Sequence, residues 1–136
     1  MPVTPEQALA PQEPAAGARA LQDSVRRAIV RGRMLADLVR PVLAAEDLSL
    51  EGWLVLTSLA DQNGLIMSEI AERTLGSNAT LTRHVDALAQ RALVYREVVP
   101  DDRRQIAIHL SQRGTALVTS MTERIADVAR RLDQDI

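Results

Sequence analysis

The fold is decided by residues 68–110, SEIAERTLGSNATLTRHVDALAQRALVYREVVPDDRRQIAIHL. Ser68 is a good N-cap for a short helix, which Gly76 would end. Ser77 is an equally good N-cap for a second helix over about residues 78–90. The pattern therefore predicts two helices separated by a tight turn. The side chains of the first helix that we expect to face inward are Ile70, Ala71 and Leu75.

The second helix has two chemically different faces. Its buried seam is predicted to be Leu81, Val85 and Leu88, which fall within about 60° of each other at about 100° per residue. The opposite face is small and polar with one protruding cation, and consists of Ala79, Thr80, Arg83, Asp86, Ala87 and Gln90. Such a face can lie close against another surface.

An extended region follows the second helix. Residues 93–99 and 105–110 are rich in β-branched side chains, and the charged segment PDDRR at residues 100–104 separates them. This composition predicts a two-stranded hairpin with a charged turn. Two helices joined by a glycine-containing turn and followed at once by a hairpin form a helix-turn-helix with a wing.

This arrangement has the dimensions of a DNA-binding unit. A B-DNA major groove, about 12 Å wide, admits one α-helix whose N-terminal residues reach the base edges. The hairpin turn offers Arg103 and Arg104 to the neighbouring phosphates or to the minor groove, where the negative potential favours guanidinium groups. The side chains that the sequence places at the start of the second helix are Ser77, Asn78, Thr80, Thr82 and Arg83.

Two helices are predicted before this unit. From Ala18 onward, apolar residues recur at helical spacing, and this long helix is expected to stop near Pro41. A shorter helix begins after Ser49, a good N-cap, and the turn DQNG at residues 61–64 ends it.

The remaining segments complete the predicted domain organisation. Residues 1–17 hold four of the six prolines and predict a flexible arm, whereas residues 18–136 predict a single domain. That domain is mainly α with a small β-hairpin wing. Its winged helix-turn-helix lobe covers about residues 48–110 and is flanked by long N- and C-terminal helices over about residues 18–43 and 111–134.

The composition excludes several classes of protein. The chain has 136 residues, 46% of them hydrophobic and 25% charged, which suits one globular core, and it has no apolar run of about 18 residues. We expect a cytoplasmic protein without a membrane span, because no export signal precedes the domain. Cysteine is absent, which excludes disulfides and thiolate zinc sites. The net charge of −2 means that DNA binding would need a local basic patch.

Other chemistry has little support in the residue pattern. We expect no catalytic residues and no enzyme, because the chain shows no nucleophile paired with a base, no phosphate-binding glycine loop and no carboxylate pair. We expect no metal site and no cofactor, since His84 and His109 are more than twenty residues apart and have no cysteine between them. Trp53 has two open interpretations, as a core residue or as part of a ligand pocket.

Three motifs in residues 48–114 resemble the MarR family of winged-helix regulators. They are TRHVDAL at residues 82–88 in the second helix, the Asp-x-Arg wing signature at residues 102–104, and Leu-Ser-x-x-Gly at residues 110–114, which is close to the family's Leu-Thr-x-x-Gly. Each motif alone is weak, but their order and spacing together are specific.

The resemblance implies a fuller function. Family members are homodimers held by their N- and C-terminal helices, and they bind double-stranded DNA at pseudo-palindromic operators. They are usually repressors that leave the operator when a small aromatic or anionic effector binds. Their effector pockets often contain aromatic residues, so the resemblance makes Trp53 a candidate pocket residue. The resemblance also implies that Asp102 orients Arg104 at the wing. The family commonly has a further helix after the last one predicted here, so we expect a smaller or rearranged dimer interface.

Two other functions stay open. Over residues 65–105, six arginines are balanced by six acidic residues, so the predicted DNA face is not strongly basic. This balance favours a winged-helix module that binds another protein and has lost productive DNA binding. A constitutive or architectural DNA-binding protein without an effector is the third possibility.

Overall fold

A computed structural model describes residues 11–134 of the chain. The predicted flexible arm therefore lies largely outside the described residues, which exclude residues 1–10. Residues 11–15 have no regular structure, and the first helix, α1, begins at Ala16, two residues earlier than predicted.

Helix α1 spans Ala16–Ala44 and continues through Pro41. The prediction that it stops near Pro41 is wrong. A proline inside a helix removes one backbone hydrogen bond, but the turn after Pro41 is held by other contacts. The carbonyl of Pro41 accepts the N–H of Ala45 at 3.2 Å, and Leu43 is fully buried in the core. Burial of this last turn offsets the lost bond.

The chain forms two compact units, one ending at Met34 and one beginning at Leu35. In the first unit the described side chains of α1 are all exposed, including its large apolar ones. The exposed apolar side chains of this unit are Leu21, Val25, Ile29, Val30 and Met34, with exposed fractions of 42–70%.

The second unit contains the helix-turn-helix lobe. Helix α2, Leu50–Asp61, is capped as predicted, because the Ser49 hydroxyl accepts the N–H of Gly52 at 3.0 Å. The turn after α2 is also as predicted, and Gly64 supplies the positive φ of 81° that it requires. In this turn the Asn63 side-chain oxygen accepts the N–H of Leu110 at 2.7 Å, which joins the turn to the sheet.

Helix α3 spans Met67–Thr74, and two predictions for it are wrong. Its N-cap is Ile66 and not Ser68, because the preceding residues form a short strand that leads directly into the helix. The Glu69 carboxylate accepts the N–H of Ile66 at 3.1 Å, which is the reciprocal contact of a capping box. Leu75 does not face inward, since it ends the helix in a left-handed conformation and its side chain is 92% exposed.

Helix α4 confirms the prediction for the second helix of the motif. It spans Asn78–Gln90, with Ser77 as its N-cap. The seam residues Leu81, Val85 and Leu88 are all buried. The opposite face is therefore turned away from the core.

The wing is a three-stranded antiparallel sheet and not a hairpin alone. The strands are β1 (Leu65–Ile66), β2 (Val94–Val99) and β3 (Asp102–Leu110), in the order β1-β3-β2. The sequence missed β1, because two residues are too few to show a strand pattern. Strand β3 also begins three residues earlier than predicted, and an irregularity interrupts its pairing with β2 at Val98/Val99.

Helix α5, Gln112–Gln134, closes the core of the second unit. The Ser111 hydroxyl accepts the N–H of Gly114 at 3.0 Å at its start. Its apolar stripe packs on the core, with Met121, Val128 and Leu132 buried. Within residues 11–134, none of the helices is both long enough and apolar enough to span a bilayer.

Gly114 gives a test of this packing. A Cβ at this position would lie 2.1 Å from the carbonyl oxygen of Leu93 and 2.8 Å from Leu110. We expect Gly114→Ala to lower the free energy of unfolding by about 1–3 kcal/mol, because α5 must move away from the sheet to admit the methyl group. Urea unfolding at a fixed protein concentration measures the loss.

The matched control is Gly17→Ala, which meets no heavy atom within 4 Å and should not lower the stability. An unchanged unfolding midpoint in Gly114→Ala would contradict the close approach of α5 to the sheet.

Candidate nucleic-acid interface

The N-terminus of α4 is built by a pair of hydroxyl groups. The Ser77 hydroxyl accepts the N–H of Thr80 at 3.3 Å and donates to the Thr80 hydroxyl at 2.9 Å. Both predicted contact residues are thus held rigidly at the first turn, with Ser77 exposed. The amide groups of a helix N-terminus carry a partial positive charge, which favours a nearby phosphate.

The other predicted contact residues of α4 can be reached from solvent, and Arg83 is the one that lies on its outward face. Asn78, Thr82 and Arg83 are all exposed. The Thr82 hydroxyl donates to the carbonyl oxygen of Asn78 at 2.8 Å, so part of its hydrogen-bonding capacity is used within the helix. No hydrogen bond or ion pair holds the Arg83 guanidinium within residues 11–134.

The same face contains an ion pair that the sequence did not predict. Asp86 of α4 accepts a hydrogen bond from the Arg96 guanidinium of β2. This contact joins the helix to the wing. Sequence spacing alone could not reveal it, because the packing angle between α4 and β2 decides which of their charges meet.

The wing turn brings Asp102, Arg103 and Arg104 together at one end of the sheet. The Asp102 carboxylate accepts the backbone N–H of Arg104 at 3.1 Å, a local turn contact that fixes the main chain there. This carboxylate contacts the backbone of Arg104 and not its guanidinium. The side chains of Arg103 and Arg104 are exposed.

The arginines of residues 65–105 divide into two groups. Arg73 donates to Gln62 at 2.7 Å, and Arg91 donates to the carbonyl oxygens of Asp47 and Glu46 at 2.7 and 2.9 Å. Arg96 is held by Asp86, as described above. Among residues 65–105, all of which the structure describes, the guanidinium groups without a partner are those of Arg83, Arg103 and Arg104.

The comparison with known proteins relates the helix-turn-helix lobe to one family. The sequence profile of the MarR family matches residues 48–106, from two residues before α2 into β3. This lobe of the chain therefore matches the MarR family. The match supports a transcriptional regulator.

Individual proteins are similar to this chain at modest identity. The homoprotocatechuate degradative operon repressor of Escherichia coli is 24% identical over 114 residues, which cover 83% of this chain and 77% of that repressor. CouR from Rhodococcus jostii bound to p-coumaroyl-CoA is 25% identical, with a TM-score of 0.74 over 85% of this chain and 82% of CouR. A MarR variant from Escherichia coli in complex with operator DNA is 20% identical, with a TM-score of 0.73 over 82% of this chain and 80% of that chain.

Trp53 lies on α2 and is partly buried. It packs against the buried core residues, and its carbonyl oxygen accepts the Thr57 hydroxyl at 3.0 Å. A cavity of about 320 Å³ lies between α2, the end of β3 and α5. Trp53 does not line this cavity. Its lining residues are Leu59, Ala60, Asn63, Leu110, Thr115, Val118 and Thr119.

The two histidines occupy separate places. His84 lies on α4 with its Nδ1 atom 3.5 Å from the Ser49 hydroxyl. His109 stacks on Tyr95 with the ring centroids 5.2 Å apart, and its Nε2 atom lies 3.5 Å from the Glu97 carboxylate. The described residues contain no group of three or more His, Cys, Asp and Glu side chains that could hold a metal ion.

The turn between α3 and α4 contains a strained leucine. Leu75 has a positive φ of 58°, whereas the next residue, Gly76, does not use the left-handed region. A Cβ at Gly76 would instead lie 3.1 Å from the Leu81 side chain, a tight contact that a small shift of that side chain would have to relieve. The left-handed position of the motif is therefore held by a side chain that pays a steric penalty of about 1–2 kcal/mol.

Replacing Leu75 by a residue that tolerates the left-handed region should relieve this strain. We expect Leu75→Asn to raise the melting temperature by about 3 °C, because asparagine adopts positive φ more readily. Differential scanning calorimetry measures the change. The control Leu75→Ala removes the exposed apolar group but keeps the strain. An equal rise in the melting temperature of both variants would show that relief of the backbone strain is not the cause of the stabilisation.

Proposed function

We propose that this chain is a homodimeric, ligand-responsive repressor that binds a pseudo-palindromic operator. The helix-turn-helix lobe, about residues 48–110, contacts DNA, and the long helices α1 and α5 form the dimer. In this proposal the start of α4 enters the major groove, and the wing turn reaches the adjacent phosphates or minor groove. The chain acts by binding and not as an enzyme.

One observation carries the proposal. Half of the arginines in residues 65–105 are occupied by contacts within the fold, and the unoccupied ones are Arg83, Arg103 and Arg104. These are the arginines that the sequence placed against DNA. A guanidinium that is exposed and without a partner keeps all of its donors available for a phosphate or a guanine edge. Local charge can therefore favour DNA although the net charge is −2.

Asp102 is proposed as a residue that positions the wing. Its carboxylate holds the backbone of Arg104, which restricts the turn that presents both wing arginines. We propose hydrogen bonds to the phosphates for the side chains at the start of α4, where Ser77 and Asn78 are exposed beside the helix N-terminus.

A titration of operator DNA tests the role of Arg83. With the intergenic DNA beside its own gene and non-specific competitor present, the protein should bind saturably, with two chains per site. We expect Arg83→Ala to weaken this binding by about 1–3 kcal/mol, because it removes a contact to a base edge. Fluorescence anisotropy at two salt concentrations measures both the affinity and its salt dependence.

The matched control is Arg113→Ala. Arg113 is also exposed, but it follows the far end of β3, about 25 Å from the wing turn at about 3.3 Å per residue. An equal loss of affinity for operator DNA in both variants would contradict a specific role for Arg83. An absence of DNA binding at either salt concentration would instead favour the protein-binding module.

The dimer is proposed from the exposed apolar side chains of α1. Leu21, Val25 and Ile29 are 70%, 58% and 53% exposed in the single chain, and their spacing of four residues places them along one side of the helix. Exposed apolar side chains in such a row are typical of a helix that packs on another chain.

We expect Ile29→Asp to convert the dimer into a monomer, because the substitution places a charge in the middle of the apolar row. Light scattering after size-exclusion chromatography should give twice the chain mass of 14.9 kDa for the wild type and the single mass for the variant. Ala20→Asp is the control with the same charge change. Ala20 is nine residues from Ile29, half a turn around the helix at about 100° per residue. A dimer that survives Ile29→Asp would contradict this interface.

The effector is proposed to be a small aromatic compound. The cavity between α2 and α5 has about 320 Å³, and no charged side chain is among its lining residues. Its walls combine apolar groups with the side-chain amide of Asn63 and the hydroxyl groups of Thr115 and Thr119. This lining favours an uncharged aromatic group with a hydrogen-bonding substituent over an anion. Trp53 is then a core residue that supports α2.

A further inference from the structure

The inner face of the wing carries a guanidinium beside an exposed apolar pair. In strand β2, Arg96 and Val98 are two residues apart and therefore lie on the same face of the sheet. Arg96 is opposite Ile108 on β3, and Val98 is opposite Ile106. Val98 and Ile106 are large apolar side chains, and each is 49% exposed.

This face of the sheet is turned toward the outward side of α4. The contact between Arg96 and Asp86 shows the direction, because Asp86 lies on the outward face of the helix. Arg96, Val98 and Ile106 therefore line the space between the helix proposed for the major groove and the wing turn. A DNA strand that passes from one groove to the other must cross this space.

The ion pair leaves most of the guanidinium unused. A guanidinium has five N–H donors, and the described contact to Asp86 uses one terminal nitrogen. The side chains of Arg96 and Asp86 are 41% and 54% exposed, so the remaining donors can be reached from solvent. An exposed pair of this kind contributes little to the stability of a fold. Stability alone is therefore a weak reason for the pair.

The chemistry of the face matches a sugar–phosphate backbone. Such a backbone alternates an anionic phosphate with a largely apolar sugar ring. Arg96 suits the phosphate because a guanidinium donates two parallel hydrogen bonds to it. The side chains of Val98 and Ile106 suit the sugar. Asp86 would repel a phosphate if it were alone, but its pairing with Arg96 neutralises it.

We propose that Arg96, Val98 and Ile106 form a binding site for the sugar–phosphate backbone of the DNA strand between the major groove and the wing. The site rests on the proposed function. Asp86 holds the guanidinium of Arg96 at this site in the free protein. Because the site contacts the backbone only, it contributes equally to operator and to non-specific DNA.

Salt-dependent DNA binding by the full-length protein tests the site. We expect Arg96→Gln to reduce the slope of log K against log salt by about 1, because one phosphate contact and its counterion release are lost. The affinity should fall by the same factor for the operator fragment and for a scrambled duplex of equal length. Arg83→Ala should instead lower the affinity for the operator more than for the scrambled duplex.

Asp86→Asn separates a phosphate contact from a purely structural pair. This variant breaks the same ion pair but retains the guanidinium of Arg96 and removes a negative charge. We expect an unchanged slope and an equal or higher affinity for both duplexes. If Asp86→Asn lowers the affinity for DNA as much as Arg96→Gln does, the pair acts only by supporting the wing, and the proposed site is wrong.

Arg124→Gln is the matched control. It breaks an ion pair of similar exposure, between Arg124 of α5 and Glu46, with side chains 43% and 39% exposed. This variant should keep the wild-type slope, and urea unfolding should show similar stability for it and for Arg96→Gln. A normal slope in Arg96→Gln would overturn the site while the repressor proposal stands. A wild-type protein that binds neither duplex would overturn the repressor proposal itself.

Discussion

The burial of one side of α4 is the constraint on which the rest of the structure depends. Leu81, Val85 and Leu88 are 2%, 0% and 3% exposed, so the helix cannot rotate about its axis without exposing them. At about 25 cal/mol per Å² of apolar surface, the loss of this seam would cost several kcal/mol. The seam therefore determines that Arg83 points outward, away from the core.

The position of the wing relative to α4 depends on polar contacts between distant segments. The Asn63 oxygen accepts the N–H of Leu110, which ties the turn after α2 to the end of β3. Arg91, at the end of α4, binds the carbonyl oxygens of the loop between α1 and α2. The Asp86 contact to Arg96 completes the connection between helix and wing. Together these contacts give the MarR lobe a fixed geometry with few aromatic residues.

The local charge of the surface depends more on which charged groups have partners within the fold than on how many charged groups there are. Six arginines and six acidic residues lie within residues 65–105, which by itself suggests a neutral surface. In the structure, Glu69, Asp86 and Asp102 accept hydrogen bonds from groups of the fold, and Arg73 and Arg91 are held in the same way. Within residues 65–105, the arginines left without a partner lie on α4 and at the wing turn. A balanced sequence can thus present a locally basic surface.

The sequence by itself determined the helices whose signals are local. Ser49 and Ser77 fixed the starts of α2 and α4, because a capping hydroxyl acts on amides three residues away. Tertiary structure decided what depends on distant residues. Core burial of Leu43 carries α1 past Pro41, pairing with β3 turns residues 65–66 into a strand, and the packing of α4 on β2 brings Asp86 to Arg96. These outcomes depend on contacts that no local pattern encodes.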